Sequence, residues 1–202
     1  MVKDMTYSNL FITGVDKNAR WMLPWFEDNL KKHNPGAELK VYDFDKEFLE
    51  SSGWFKKPAA MRHAARLSKK VCWIDVDCEI KDNIEDIFNY TEPHKLSMVE
   101  DAPWSKRRGE TWHNSGVVAF EDNPYILSIW HNMVIKNPLV GDQEVLHEYL
   151  KQGMNRLIYI RDLPRQYNTL RLDVLDETTP KNIKIMHWTG AKGKQEIKRL
   201  IK

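Results

Sequence analysis

The segment Lys70-Val71-Cys72-Trp73-Ile74-Asp75-Val76-Asp77-Cys78-Glu79-Ile80 constrains the fold more than any other part of the chain. Its apolar run, Val71 to Ile74, reads as a buried strand that carries two acids at its end. On an extended chain, residues two apart share a face, so Asp75 and Asp77 are expected side by side at the strand's rim. Carboxylates held that close repel, and one pKa rises unless a cation lies between them. Hard oxygen ligands suit Mg2+ or Mn2+. Such an ion would carry a diphosphate and neutralise charge on a leaving group. The plainer reading is a strand end that enters a polar turn with both acids solvated, and D-x-D alone leaves both open.

The flanking segments alternate strand and helix. Ser8 to Gly14 reads as a short buried strand ending at a glycine turn. A helix begins near Pro24, with Trp25, Phe26 and Leu30 on its apolar side, and Asn34-Pro35-Gly36 stops it. Leu39 to Asp43 alternates as a second strand. Pro58 suits the first turn of a helix carrying Met61, Ala65 and Leu67. Asp82-Asn83 is a cap for a short helix with Ile84, Ile87 and Phe88. Ser115 to Phe120 is another apolar strand, and Asn123-Pro124 reads as N-cap and first position of a helix to about Ile135. Asp142 is expected to cap a helix from Gln143 to Gln152, ended by Gly153. Leu157 to Ile160 and Ile183 to His187 read as late strands. This order predicts an α/β fold with a mixed, mainly parallel sheet flanked by helices. Ligands then bind beyond the carboxyl ends of strands, where Thr13-Gly14, Asp75-Val76-Asp77 and His187 fall.

With 202 residues and no repeat or linker, the chain reads as a single domain over residues 1–202. A net charge of +2 does not by itself imply nucleic-acid binding. The basic stretch from Lys192 to Lys202 reads as a solvated helix face. No apolar run approaches the roughly 20 residues of a membrane span. Met1-Val2-Lys3-Asp4 has no apolar leader core, so no signal peptide is expected. Cys72 and Cys78, if on one extended strand, sit roughly 20 Å apart and cannot pair. A reduced, cytoplasmic setting follows.

Together these residues resemble the donor-binding core of GT-A glycosyltransferases, which are Rossmann-like nucleotide-diphospho-sugar transferases. The likeness is greatest to the group with glycogenin and the lipopolysaccharide galactosyltransferases. Lys57-Pro58, Arg62 and the D-x-D strand begin it. Asn114-Ser115-Gly116 resembles the family's N-x-G strand, and Gly141-Asp142-Gln143-Glu144 its D-Q motif. Leu163-Pro164-Arg165-Gln166-Tyr167-Asn168 resembles its L-P-x-x-Y-N turn, and His187-Trp188-Thr189-Gly190 the start of its H-x-x-G-x-x-K motif.

The resemblance implies a role at each position. Asp75, Asp77 and His187 would ligate Mn2+ or Mg2+, with Asp75 also near the ribose. Thr13 and Gly14 would meet the nucleotide base, and Lys57 or Arg62 the donor's phosphates or sugar. Asn114, Ser115, Asp142 and Gln143 would surround the transferred sugar, with Asn114, Asp142 and Gln143 as its catalytic set. Gly190 and either Lys192 or Lys194 would grip the diphosphate, because the family's lysine position is Gly193 here. The resemblance further implies a UDP-sugar donor, retention of configuration, and a glycan or glycolipid acceptor. A modified nucleic-acid base is the alternative acceptor. A haloacid-dehalogenase-type phosphatase, which also uses D-x-D after an apolar strand, and a non-catalytic nucleotide-sugar or carbohydrate binder are the rival readings. Trp112 and His113 would line the acceptor side, and Asp101 to Thr111 reads as a loop that orders when donor binds.

Overall fold

The computed structural model describes residues 7–51 and 53–202; Met1–Asp4, read above as lacking a leader, lie outside them. In chain order the strands are β1 (Tyr7–Val15), β2 (Leu39–Asp43), β3 (Ser68–Ile74), β4 (Cys78–Ile80), β5 (Leu96–Glu100), β6 (His113–Glu121), β7 (Ile160–Asp162), β8 (Thr169–Leu170) and β9 (Ile185–His187). The α-helices are α1 (Leu23–His33), α2 (Lys57–Ala64), α3 (Ala102–Arg108), α4 (Tyr125–Lys136), α5 (Asp142–Leu150), α6 (Asn155–Tyr159), α7 (Arg171–Leu175) and α8 (Gly190–Leu200).

The larger sheet has the order β2-β1-β3-β6-β5-β7. β1 is parallel to β2 and β3, β6 is antiparallel to β3 and β5, and β7 is parallel to β5. Five strands therefore run one way and β6 alone runs against them. The expected mixed, mainly parallel α/β architecture is the one found.

Both faces of this sheet are buried, which explains why its strands read as nearly continuous apolar runs. Leu10, Ile12, Val71, Trp73, Val118 and Phe120 face one core, closed by α2, α4 and α5 through Met61, Trp130 and Leu146. Their neighbours Phe11, Cys72, Ile74, Val117 and Ala119 face the other, closed by Phe26 and Leu30 of α1 and Ile197 of α8. Each large apolar side chain so buried contributes about 1.5–3 kcal/mol relative to exposure.

The long strand expected from Lys70 to Ile80 is broken. The Asp75 N–H donates to the Gly116 carbonyl at 2.7 Å, and the Cys78 N–H returns to the Asp75 carbonyl at 3.0 Å. That turn passes the chain into a second, three-stranded sheet, β4-β9-β8, in which Cys78 pairs with His187. Asp75 and Asp77 thus sit in a turn between two sheets rather than along one pleat. The cysteines lie on different strands, both buried and free.

Other expectations shift for local reasons. Asp101 to Thr111 is largely helix, not loop. The Asp101 carboxylate caps the Trp104 N–H at 3.1 Å, Pro103 sits in the first turn, and Gly109 ends the helix at φ 70°. Residues 157–159 belong to α6, and strand begins only at Ile160. Leu157 and Ile158 are exposed, so that apolar run is not a core strand. Residues 85–90 form a 3-10 rather than an α-helix, with Ile87 and Phe88 buried. Pro124, not Asn123, is the N-cap of α4, so the helix begins one residue later than expected. Gly141, not Asp142, is the N-cap of α5, and Asp142 turns its carboxylate elsewhere.

Candidate active site

A cleft of about 460 Å³ opens along one edge of the larger sheet. Gly14 and Asp16 from the end of β1, Phe44 just past β2, Trp73 and Asp75 from the end of β3, and Asp101 just past β5 meet there. β6 runs the other way, so its first residues, Asn114, Ser115 and Gly116, reach the same edge. The carboxyl-end placement expected of such sheets is met.

One corner is built around His187 at the end of β9. Its Nε2 lies 3.3 Å from Asp77 Oδ1 and 3.9 Å from Asp75 Oδ2. Its Nδ1 lies 3.0 Å from Asn168 Oδ1. A chain of amides settles which ring nitrogen carries hydrogen. The Gly116 N–H donates to Asn114 Oδ1 at 2.9 Å, which identifies that atom as oxygen. Asn168 Nδ2 donates to the same oxygen at 2.9 Å, so the other end of Asn168 is an acceptor. His187 Nδ1 must then be a donor, so whenever the ring is neutral it is Nε2, the nitrogen facing the acids, that carries the lone pair. Asn114 Nδ2 closes the chain on Asp101 Oδ2 at 3.2 Å. Histidine ligands of metals are commonly held this way, by a hydrogen bond from the ring nitrogen away from the ion.

Gly116 makes the seat. A Cβ on it would lie 2.1 Å from His187 Cε1 and 2.4 Å from Nδ1. Two acids and a neutral imidazole with its tautomer fixed make a donor set that fits a divalent cation. The ligand atoms of Asp77, Cys78 and His187 lie within 4.8 Å of one another, a group without Asp75; but burial holds the Cys78 thiol well above the ordinary range, so Asp75, with Oδ2 3.9 Å from His187 Nε2, is the better third donor. Burial alone would lower the His187 pKa, yet Asp77 and then Asp75 outweigh it and raise it. Burial pushes Asp75 up, and the opposing Lys57 and His187 charges do not cancel the rise. Asp77 is also pushed up by burial, but its contacts with His187 and the Lys194 charge bring it below the usual carboxylate value.

The floor is held by Lys57 at the start of α2, only 2% exposed. Its Nζ lies 3.0 Å from Asp75 Oδ1 and 3.4 Å from Asp142 Oδ2, and donates to the Ser115 carbonyl at 3.0 Å. Burial alone would discharge this amine, but Asp142 and Asp75 keep it protonated, with its pKa above the ordinary lysine value. Trp73 Nε1 donates to Asp75 Oδ1 at 2.6 Å, and the Ser115 hydroxyl donates to Asp142 Oδ2 at 3.0 Å. Gln143 accepts from the Ser115 N–H at 3.2 Å and turns its amide nitrogen toward Asp101 at 3.4 Å.

No family model and no curated protein matches the sequence. Solved structures do match its shape. A glycosyltransferase involved in the glycosylation of the major capsid of PBCV-1 superposes over 95% of this chain and 100% of its own, with a TM-score of 0.67 at 16% identity. The galactosyltransferase LgtC, solved with donor and acceptor sugar analogues, covers 95% of this chain and 94% of its own, with a TM-score of 0.63 at 13% identity. The glycosyltransferase GlyE of Streptococcus pneumoniae TIGR4 covers 92% of this chain and 55% of its own, with a TM-score of 0.61 at 17% identity. The chain has the GT-A glycosyltransferase fold.

On this GT-A fold, Gly14, Lys57, Asp75, Asp77, Asn114, Ser115, Asp142, Gln143, His187, Gly190 and Lys194 all line the cleft. Thr13, Arg62 and Lys192 do not. Thr13 is fully buried and its hydroxyl has no partner among the described residues. Arg62 sits on the far side of Lys57's helix, where its charge acts on His131 of α4. Lys192 is exposed away from the cleft, while Lys194 enters it. Gly193 occupies the position between them because a Cβ there would lie 2.0 Å from the Trp188 carbonyl oxygen. Trp112 and His113 also stay out of the cleft: Trp112 stacks on His147, and His113 bonds Asp162 at 2.8 Å.

The GT-A cleft contains groups that sequence reasoning missed. Asn168 and Gly116 were visible as letters of their motifs, but not as the partner and the seat of His187. Asp101 was assigned to a loop, although Asp, Pro and a later Gly are helix start and stop signals. Phe44 stacks on Trp73 with ring centroids 6.1 Å apart, and fills the space a Cβ on Gly14 would take. No helix is long and apolar enough to cross a membrane among the described residues.

Proposed function

We propose that this chain is a metal-dependent glycosyltransferase, a single domain that moves a sugar from a UDP-sugar to a glycan or glycolipid with retention of configuration. The observation that carries this reading is His187 Nε2 facing Asp77 and Asp75, with its Nδ1–H held by Asn168. Asp75, Asp77 and His187 would hold Mn2+ or Mg2+, which when bound supplies positive charge to the departing diphosphate. Lys194 and the first-turn N–H groups of α8 would bind the same diphosphate, since a helix N-terminus favours anions. Gly14, with the Phe44 ring packed against it, would line the subsite of the nucleotide base at the end of β1. Lys57 ties the Asp75 and Asp142 carboxylates in place. Asp142 and Gln143 then accept and donate hydrogen bonds at the sugar hydroxyls, and Asn114 orients His187 through Asn168. Retention and the choice of uridine rest on the resemblance of the motifs. The two buried thiols support a reducing, cytoplasmic setting.

The test is a screen of nucleotide-sugars for Mn2+-dependent hydrolysis by the wild type and Asp77→Asn. The reading expects turnover of a UDP-sugar that falls more than ~100-fold in the variant, as for loss of a leaving-group charge. Metal-independent turnover, or equal rates in the two proteins, contradicts it. Hydrolysis of simple phosphoesters without nucleotide-sugar turnover would return the phosphatase reading.

A further inference from the structure

The wall of the cleft beyond Asp101 is formed by α3 and α7. Arg107 ties them together, donating to the Pro103 carbonyl at 2.7 Å and to Asp176 at 2.9 Å just past α7. Trp104 of α3 lines the cleft and is 39% exposed, although it is the kind of side chain a fold normally covers. Its indole is not loose. The Arg108 guanidinium lies 5.0 Å from the Trp104 ring and 5.9 Å from the Trp112 ring, and Trp112 stacks on His147 at 3.7 Å and 10°. A layered stack of rings and guanidinium therefore backs the indole, and its open surface is left to the cleft. Beside it stands the polar cluster of Asp101, Asn114 and Gln143.

A rigid, half-exposed indole next to fixed carboxylate and amide groups suits a pyranose ring. Such a ring has an apolar CH face for the indole and hydroxyls at its edge for the polar groups. A polynucleotide is poorly matched. Arg107 is paired with Asp176, Arg108 is beneath the indole, and the acids Asp101 and Asp142 face the same space. We propose that Trp104 is the platform on which the acceptor binds, and that the acceptor presents a saccharide there. This rests on the glycosyltransferase reading and assigns its acceptor subsite to Trp104.

Saturation-transfer NMR tests it, with UDP and the diamagnetic ion Mg2+ present and lactose, methyl β-glucoside and methyl β-galactoside as probes. UDP signals report the donor half, and sugar signals report the platform. In the wild type at least one glycoside should receive saturation, strongest on the CH protons of one ring face. Trp104→Ala should reduce that signal at least about fivefold, as for loss of an aromatic stack, while UDP signals stay unchanged. Trp104→Phe should keep most of it, and Trp21→Ala, an exposed tryptophan outside the cleft, should keep all of it. A sugar signal indifferent to Trp104, no sugar signal at all with UDP bound, or a Trp104-dependent signal from short single-stranded DNA instead would overturn the proposal. Absence of Mg2+-dependent UDP binding in the wild type would sink the underlying reading, and the UDP signals distinguish that failure. If Trp104→Ala loses its fold, seen as lost UDP binding, Trp104→Gln decides: a sugar signal at least about fivefold below the wild type's upholds the platform, and one equal to it overturns the proposal.

Discussion

His187 Nδ1 lies 3.0 Å from Asn168 Oδ1, and that contact leaves the other ring nitrogen to face Asp77 at 3.3 Å. The ring's orientation and tautomer come from a residue nineteen positions away, itself held by Asn114 on a different sheet.

Replacing Asn168 with leucine removes the acceptor for Nδ1–H and the second donor to Asn114 Oδ1. Mn2+ affinity should fall about 10–100-fold, the usual effect of removing a partner of a ligating histidine. Stability should fall by about 1–3 kcal/mol, because a buried ring N–H loses its partner. Isothermal titration and urea unfolding read the two effects separately, and an unchanged Mn2+ affinity would count against the relay.

Gly116→Ala tests the seat. The added methyl overlaps the imidazole, and β6 is held on both sides by β3 and β5, so the ring must move rather than the strand. The variant should fold, with Mn2+ binding weakened at least about tenfold. Titration with Mn2+ followed by electron paramagnetic resonance gives the number.

How much of this was legible in the sequence depends on whether the cause is local. β2 and the length of α1 could be read directly, because alternation, Pro24 and the Asn34-Pro35-Gly36 stop act within a few residues. The break at Asp75–Asp77 could not. Cys78-Glu79-Ile80 continues the alternation, and only pairing of Cys78 with His187 over a hundred residues later sends it into another sheet. Leu157 to Ile160 was misread because a short apolar run has no period of its own. The site's residue types were visible as motif letters. Their partnerships were not, since Asn114 and Asn168 meet across 54 positions. Arg62 and Lys192 were indistinguishable from Lys57 and Lys194 until helix phase put them outside the cleft.

Lys57→Met leaves the Asp75 and Asp142 carboxylates facing each other without their cation. Breaking a buried ion pair in this way should cost about 3–5 kcal/mol. Mn2+ should restore part of the loss by occupying the Asp75 side, so thermal melts with and without metal should differ more for the variant than for the wild type. An unaltered melting temperature in metal-free buffer would show that Lys57 does not hold the floor.

The raised His187 pKa has a sign that reverses with metal. Without metal, a histidine whose folded pKa lies above its unfolded value contributes stability that is fully present below the unfolded pKa. That stability is lost as pH rises through the folded one. With Mn2+ the neutral ring is needed, so affinity should be flat above the folded pKa and fall about tenfold per pH unit below it. The stability difference between wild type and His187→Gln should therefore shrink with rising pH in chelator and grow with rising pH in Mn2+. Parallel trends in the two buffers would contradict the assignment.

The most direct measurement is a crystal structure of the wild type grown with Mn2+ and UDP, with anomalous diffraction to locate the ion. The account predicts one strong anomalous peak at ligating distance from Asp75, Asp77 and His187 Nε2, while Nδ1 stays on Asn168 and the diphosphate lies beside Lys194. A peak elsewhere, or an imidazole turned so that Nδ1 meets the ion, would contradict it.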